Sequence, residues 1–562
     1  MSFTAARVSA EASNGTRARR GVLALLVLYI VVYLVPLGMR PLSTPDEVRY
    51  GEIAREMILS GDWVSPHFNG VRYFEKPVLG HWLNAVSLAA LGENAFAVRL
   101  PVALATGLSA LIVFFLTRRF LTSSTAVLAT AIFLTTLIVA GCGSVAVLDA
   151  FLALFVTAAV ATYYIAINEP QRARRVAYLA LCGVACGAAF LTKGFIAWAI
   201  PTVVVAPYLV ARRDWRTLLT SPWVALVVAI LVSLPWAVLV HRREPDFWRY
   251  FVVVEHLQRF AGDSAQHTRP PWFYVAFLPL VGFPWIWLLP ASLFGVRGDG
   301  RQKQFLWYVA LWALMPLLFF SLAKGKLLTY VLPCFAPLSI LLAAGLERYF
   351  AAGQRRAFRI AAGLVAAAFV LLLALLAASQ AGAFGAAAYS ADERLKLVVM
   401  TAFLVAGTGC GAIAFWSARP SARLAAMTGA GVAFFVPLDV AMPQRALDAV
   451  APSTAVAHYV STPRDTVVVS DDWLFGAVSW VLKRDDIYVV SAGEIEYGMS
   501  YPESRHRKLV GTMLADLIAE NRDRHDVLVL GAASTEQEIE AQLPPTTERS
   551  QDGHVRVLRI PR

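Results

Sequence analysis

Apolar runs long enough to cross a bilayer recur along the first 442 residues, separated by short polar connections. They are Gly21–Leu37, Leu100–Leu116, Leu121–Ala140, Val145–Ile167, Val176–Leu191, Phe195–Val210, Trp223–Val240, Trp272–Phe294, Phe305–Leu322, Leu327–Leu346, Ile360–Ala378, Leu397–Trp416 and Leu424–Met442. This pattern predicts an all-α polytopic membrane protein with about thirteen transmembrane helices over residues 1–442. The first run has no small-residue cleavage site behind it and reads as a retained span. Residues 443–562 change character. Candidate strands Thr466–Ser470, Ile487–Ser491, Val527–Leu530 and Val555–Ile560, with a helix near His506–Asn521, predict a small soluble α/β domain.

The longest polar interruption is Ser43 to Trp82. Its start reads as a helix N-terminus, with Thr44 as cap, Pro45 at the first helical position and Glu47 completing a capping box. Tyr50, Ile53, Ala54, Met57 and Ile58 then recur at helical spacing, an amphipathic stripe, and Asp46 lies one turn before Tyr50 on it. Val78–Leu91 is too short to cross and is expected to lie along the membrane surface. Amphipathic loop helices are therefore expected over about residues 40–95 and 241–271.

Arginine clusters set the orientation. Arg17/Arg19/Arg20, Arg118/Arg119, Arg172/Arg174/Arg175, Arg212/Arg213/Arg216, Arg297/Arg301/Lys303, Arg348/Arg355/Arg356 and Arg419/Arg423 occupy alternate connections, which the positive-inside rule assigns to the cytoplasm together with the N-terminus. The Asp46 island, Asp149, Lys193, the Arg242–Pro271 loop, Lys324, Lys326 and the tail then share the outer side. That side is also rich in Lys and Arg, against the rule, which asks for a functional reason.

Hydrophobic residues make up 58% of the 562 and charged ones only 16%, a balance that excludes an ordinary soluble enzyme. The formal charge of +12 is uneven: the tail from Pro443 has 13 basic against 18 acidic side chains, leaving +17 on the membrane portion. Anionic lipids or phosphate substrates are its expected partners, and no nucleic-acid or nucleotide-binding motif is visible. Cys142, Cys182, Cys186, Cys334 and Cys410 all lie in apolar segments and read as buried small hydrophobes.

Candidate chemistry gathers at the outer ends of spans: Asp46, Glu47, Arg49 and Tyr50; Tyr73, Glu75 and Lys76; Asp149; Lys193; His267 to Trp272 with Arg269; and Lys324, Lys326 and Tyr330. Each has a plainer use. Asp46 can complement a helix N-terminus for about 0.3–1 kcal/mol. Arg49 and Lys76 can snorkel to headgroups, Asp149 can neutralise Lys193, Lys324 and Lys326 can anchor at the interface, and Tyr73 and Tyr330 can be interfacial aromatics. Glu75 and His256 are candidate ligands of a structural divalent metal such as zinc; the chemistry itself asks for no cofactor. Taken together, the set suits a phosphate on a lipid, since one lysine at 4 Å contributes about 4 kcal/mol of attraction in an intermediate dielectric. The tail shows no phosphate-cradling glycine loop and no catalytic triad, and reads as a lid or docking module.

Pro45-Asp46-Glu47-Val48-Arg49-Tyr50 with Glu52 to Met57, then Glu75-Lys76-Pro77, His267-Thr268-Arg269-Pro270-Pro271-Trp272 and Lys324-Gly325-Lys326-Leu327-Leu328-Thr329-Tyr330, resemble signatures of the GT-C-type membrane glycosyltransferases related to protein O-mannosyltransferases. Within that family the pattern is most similar to the bacterial aminoarabinose transferases that modify lipid A. Leu328 departs from it, standing where a proline is expected after Lys-Gly-Lys-Leu. The resemblance implies transfer of 4-amino-4-deoxy-L-arabinose from undecaprenyl phosphate to lipid A phosphates at the periplasmic face of the bacterial inner membrane, with the tail periplasmic. It implies Asp46 in the catalytic or orienting role, Asp149 as a second catalytic residue directed with Lys193 toward the sugar amine or the acceptor, and Arg49, Tyr50, Tyr73, Lys76, Lys193, Arg269, Lys324, Lys326 and Tyr330 around phosphate and lipid donor. Two alternatives stay open on the residues alone. One is a related transferase moving another polyprenyl-phosphate-linked sugar to protein or polysaccharide; the other is a lipid transporter or flippase, which the absence of an evident internal repeat disfavours. Oligomeric state is not readable.

Overall fold

The computed structural model describes residues 19–258, 268–295, 300–491 and 493–562; Arg17, Arg297 and His267 lie outside the described residues. Among the described residues nine helices, from Ala95–Phe120 to Pro420–Val440, are long and apolar enough to cross a membrane, and two bent pairs qualify jointly. The sixteen-residue helix Ile196–Ala211 and the helical residues 19–34 occupy the other two expected positions. The thirteen apolar runs are thus all helical, but two are not straight spans. Ser123–Leu134 and Leu137–Ser144 meet at 62°, and Phe273–Val281 and Ile286–Leu293 at 102°. The breaks satisfy each other: the Leu137 N–H donates to the Phe283 carbonyl at 2.9 Å, and the Trp285 indole N–H donates to Thr135 Oγ1 at 2.9 Å. Irregular backbone at membrane depth is tolerable when protein covers it in this way.

Alternate connections meet on opposite faces of the bundle. On one face Arg119 pairs with Glu169 at 3.3 Å, Arg348 donates to Gln302 at 3.1 Å, and Arg423 lies over the Phe358 ring. On the other, Arg40 pairs with Asp439 at 2.8 Å and the Thr44 N–H donates to the Val450 carbonyl at 2.8 Å.

The helix of the charged island runs Asp46–Ser60, one residue later than the expected cap, with Pro45 at the N-cap position and no side-chain cap bond. Glu47 reaches back to Ser43, accepting from its N–H at 2.9 Å and its hydroxyl at 2.8 Å. The helix is not amphipathic in the folded chain. Its polar face is buried as well: Arg55 is chelated by Glu52, and Glu56 accepts from the N–H groups of Asn69 and Gly70 at 2.6 and 2.9 Å.

What covers that face is the tail. The first loop carries a two-stranded hairpin of β1 (His67–Phe68) and β2 (Val71–Arg72), and the tail adds β3 (Val467–Ser470), β4 (Tyr488–Val489), β5 (Val527–Gly531), β6 (Glu548–Asp552) and β7 (Val555–Ile560), a five-stranded sheet in the order β4-β3-β5-β7-β6. β3 runs parallel to β4 and β5; β7 is antiparallel to β5 and β6. The edge strand β6 is polar and mostly exposed, which is why hydropathy missed it. One apolar core joins Val48, Ile53, Met57 and Phe68 to Phe475, Val478, Ile487 and Val557. The Asn69 side chain acts as one more strand residue, donating to the Ile487 carbonyl at 2.9 Å and accepting from the Ile487 N–H at 3.0 Å. Packing therefore does not stop at residue 443: the first outer loop and the tail share an interior.

Candidate active site

Arg49 is the centre of the first group. Placed one turn into the helix, its guanidinium pairs with Asp46 on its own helix and with Glu494 from the tail. It also lies 5.2 Å from the Tyr50 ring centroid. Burial works against its charge, but Tyr73, Tyr50, Asp46 and Glu75 hold its pKa above the ordinary arginine value. Asp46 itself is half-exposed at the helix N-terminus, open to a ligand.

Around Arg49 lie polar groups buried without hydrogen-bond partners among the described residues: the Tyr73 hydroxyl, both ring nitrogens of His81 and Arg49 Nε. Tyr73 and His81 meet edge to face at 6.1 Å, and Tyr50 and His81 are 5.8 Å apart. Burial, then the positive charges of Arg49 and Lys76, push the His81 pKa down to about 3, so the imidazole is neutral. Burial also raises the Tyr73 phenol. A neutral donor or acceptor left bare in a protein interior costs about 1–3 kcal/mol. Several at one spot are groups that a polar ligand or ordered water would satisfy.

Lys76 stands beside this pocket, its ammonium 3.1 Å from Glu255 Oε2, donating to the Glu75 carbonyl at 2.9 Å and lying 3.9 Å from the Glu75 carboxylate. A second pair, Asp149 and Lys193, closes at 2.7 Å from the ends of two spans, and Lys193 lies 4.8 Å from the Tyr330 ring centroid. Tyr50 connects the two groups, since its phenol, raised first by burial, responds to Arg49 and Asp46 and also to Lys193 and Asp149.

The third group is a clasp. Thr268 and Gly325 form an antiparallel bridge, and the Arg269 N–H donates to the Lys324 carbonyl at 3.2 Å. Lys326 is buried, and its ammonium donates to the carbonyls of Arg269 (2.9 Å) and Ala323. Grouped at the sequence level with the phosphate ligands, Lys326 is instead committed to backbone and positions its neighbours Arg269 and Lys324, whose side chains are exposed.

Glu75 and His256, the candidate metal ligands, lie in two outer segments joined through Lys76, which is 3.9 Å from the Glu75 carboxylate and 3.1 Å from Glu255, the residue before His256. His256 Nδ1 bonds the Phe251 carbonyl at 2.7 Å and Nε2 accepts the Phe195 N–H at 3.2 Å, so both nitrogens are engaged. Among the described residues no group of three or more His, Cys, Asp and Glu side chains gathers in one place. Sequence reasoning passed over His81, Glu255 and Glu494. Glu255 adjoins His256 in an otherwise apolar stretch, which was a usable signal; Glu494 had none, being some 445 positions from Arg49.

The family model of dolichyl-phosphate-mannose-protein mannosyltransferases matches residues 19–251, and that of the C-terminal domain of the arabinosyl transferase ArnT matches residues 447–559. The fold superposes on the crystal structure of ArnT from Cupriavidus metallidurans bound to undecaprenyl phosphate, with a TM-score of 0.78 at 23% identity, covering 96% of this chain and 97% of that one. Bundle, rim of charge and appended domain define a GT-C-type membrane glycosyltransferase. At the sequence level the chain is 40% identical over 532 residues to the undecaprenyl phosphate-alpha-4-amino-4-deoxy-L-arabinose arabinosyl transferase of Aeromonas salmonicida (strain A449), covering 93% of this chain and 96% of the relative. The enzyme of the same description from Edwardsiella ictaluri (strain 93-146) is 39% identical over 531 residues, with the same coverage. The chain belongs to this family of arabinosyl transferases.

Proposed function

We propose that the protein transfers 4-amino-4-deoxy-L-arabinose from undecaprenyl phosphate to phosphate groups of lipid A, at the periplasmic face of the bacterial inner membrane. The donor follows from the relatives' shared description. The observation that carries the reading is the Arg49 pocket, where a buried guanidinium, an uncapped tyrosine and a neutral histidine adjoin Lys76.

In this reading the bond from sugar C1 to the donor phosphate oxygen breaks while an acceptor oxygen bonds C1. Negative charge then builds on the departing polyprenyl phosphate. Lys76 and Arg49 stabilise that charge, each by about 4 kcal/mol at 4 Å before desolvation. The Tyr73 hydroxyl donates a hydrogen bond to it. A phosphate acceptor is already largely ionised at neutral pH, its second pKa being about 6, so no strong base is required. Asp46 therefore orients the acceptor and offsets positive charge developing on the sugar ring. Asp149 holds Lys193 at the far side of Tyr50, where Lys193 and the exposed Arg269 and Lys324 gather the second phosphate. Both substrates carry a phosphate at headgroup depth, which accounts for basic side chains on the face the positive-inside rule disfavours.

Mass spectrometry of lipid A from cells with and without the intact protein tests the transfer. A mass increase of one aminoarabinose per modified phosphate is expected, and an unchanged mass overturns the reading. A topology reporter fused after Arg562 tests the side: a signal confined to the cytosol overturns the orientation.

A further inference from the structure

The reach of the tail into the site has a chemical use. Residues Gly493–Tyr501 form an arm fastened along the first outer loop. Tyr497 stacks on Tyr250 with centroids 4.1 Å apart, Phe74 touches Tyr497 and Tyr501, and the Arg72 guanidinium lies 4.5 Å from the Tyr501 ring centroid. Ile495 and Met499 are buried, and Gly498 is so close to β2 (Val71–Arg72) that a Cβ there would come within 2.1 Å of the Arg72 carbonyl oxygen. The arm holds Glu494 against Arg49, with the Glu494 side chain still 36% exposed.

Arg49 is thus shared between two carboxylates, Asp46 and Glu494. The two lysines nearby are also paired: Lys76 lies 3.1 Å from Glu255 and 3.9 Å from Glu75, and Lys193 pairs with Asp149. A phosphate arriving at Arg49 displaces one carboxylate from the guanidinium, and a carboxylate in a half-buried site then needs another cation. The sugar brings one, an ammonium at C4, across the ring from the C1 oxygen that carries the phosphate. Glu494 lies within residues 447–559, matched by the model of the arabinosyl transferase C-terminal domain.

We propose that Glu494 is a specificity-determining residue that receives the 4-ammonium group of the donor sugar and frees Arg49 for phosphate. This deepens the transfer reading above and rests on it. The test uses the full-length protein in lipid nanodiscs with two undecaprenyl-phosphate-linked donors, one with the free amine and one N-acetylated at the same nitrogen. Wild type is expected to prefer the amine. In Glu494→Gln, kcat/KM for the amine donor is expected to fall about 10- to 100-fold, mainly through KM, as loss of a charge-assisted hydrogen bond requires. The N-acetylated donor is expected to be used no worse than by wild type, and Glu494→Asp to recover part of the preference. Should Glu494→Gln prove poorly folded in its thermal midpoint, Glu494→Ser is measured against the same pair of donors. Equal losses with both donors, or none with either, overturn the proposal. If wild type transfers no aminosugar at all, it is the underlying function that fails.

Discussion

Glu47 and Arg99 grip each other through two parallel hydrogen bonds of 2.6 and 2.7 Å, and neither side chain has any exposure to solvent. Arg99 also donates to the carbonyls of Leu37, Arg40 and Pro41, while Glu47 takes Arg40 at 2.7 Å and the Ala146 N–H at 3.0 Å. In adjacent positions, then, Asp46 is left half-exposed beside Arg49 and Glu47 ties the first span to its neighbours. Removing one partner of such a pair leaves a buried charge, at a cost of about 3–5 kcal/mol. Arg99→Met is expected to lose that much in a denaturant series in detergent, and a loss below 1 kcal/mol would refute the structural role.

The same pair sets an acid limit. Burial opposes ionisation of Glu47, but the Arg99 hydrogen bond and charge, then Arg40, outweigh it and hold the pKa down to about 2. An unfolded glutamate titrates near 4.5. The folded state's pKa is the lower one, so this stability is fully present above about 4.5 and is lost as pH falls toward about 2. Unfolding midpoints measured from pH 6 downward should drop through that window, and in Glu47→Gln this part of the drop should be missing.

Asp46→Asn separates chemistry from folding. A carboxylate half-exposed at a helix N-terminus contributes about 0.3–1 kcal/mol to stability. As the residue orienting the acceptor, it is expected to account for about 10²- to 10⁴-fold in transfer. The variant should remain folded and bind polyprenyl phosphate while losing transfer; full activity removes Asp46 from the mechanism.

Tyr73→Phe should split in the opposite sense. Its hydroxyl is buried with no partner among the described residues, so deleting it is expected to leave the ligand-free protein as stable or slightly more so. kcat/KM for the donor should fall about 10- to 100-fold, the value of one hydrogen bond to a charged group. A clear loss of stability would show that the hydroxyl is structural.

Asn69→Ala tests the joint between loop and tail. It leaves the Ile487 N–H and carbonyl without their partner and puts alanine at a φ of 57°. The expected cost is about 2–4 kcal/mol, with faster proteolysis of the tail and reduced transfer. Unchanged proteolysis would mean that the shared core alone holds the two together.

The positions of the membrane segments were legible because a bilayer imposes one crude requirement, some twenty apolar residues in a row. The bends in Ser123–Ser144 and Phe273–Leu293 were not, since Thr135, Thr136, Gly282 and Pro284 interrupt hydropathy too little to register. The candidate residues were legible by a different route: Lys and Arg on the side that the positive-inside rule disfavours draw notice, so Arg49, Lys76, Lys193, Arg269 and Lys324 stood out. Lys326 stood out for the same reason but is a clasp, because nothing in the sequence distinguishes an ammonium that holds carbonyls from one that waits for phosphate. The Asp46–Ser60 helix was misread as amphipathic because the surface that buries its other face lies four hundred residues away. His81 was hidden by its apolar neighbours in Leu79–Leu91.

The interior shared by the Asp46 helix and Phe475, Val478 and Val557 also orders the birth of the protein. Translation at about 5–20 residues per second leaves the early loop waiting on the order of tens of seconds for the segment that will cover it. During that interval its greasy side is bare beside the membrane, open to holdases and proteases. The late segment is the keystone, and a chain released before Phe475 leaves Val48, Ile53 and Met57 without their cover.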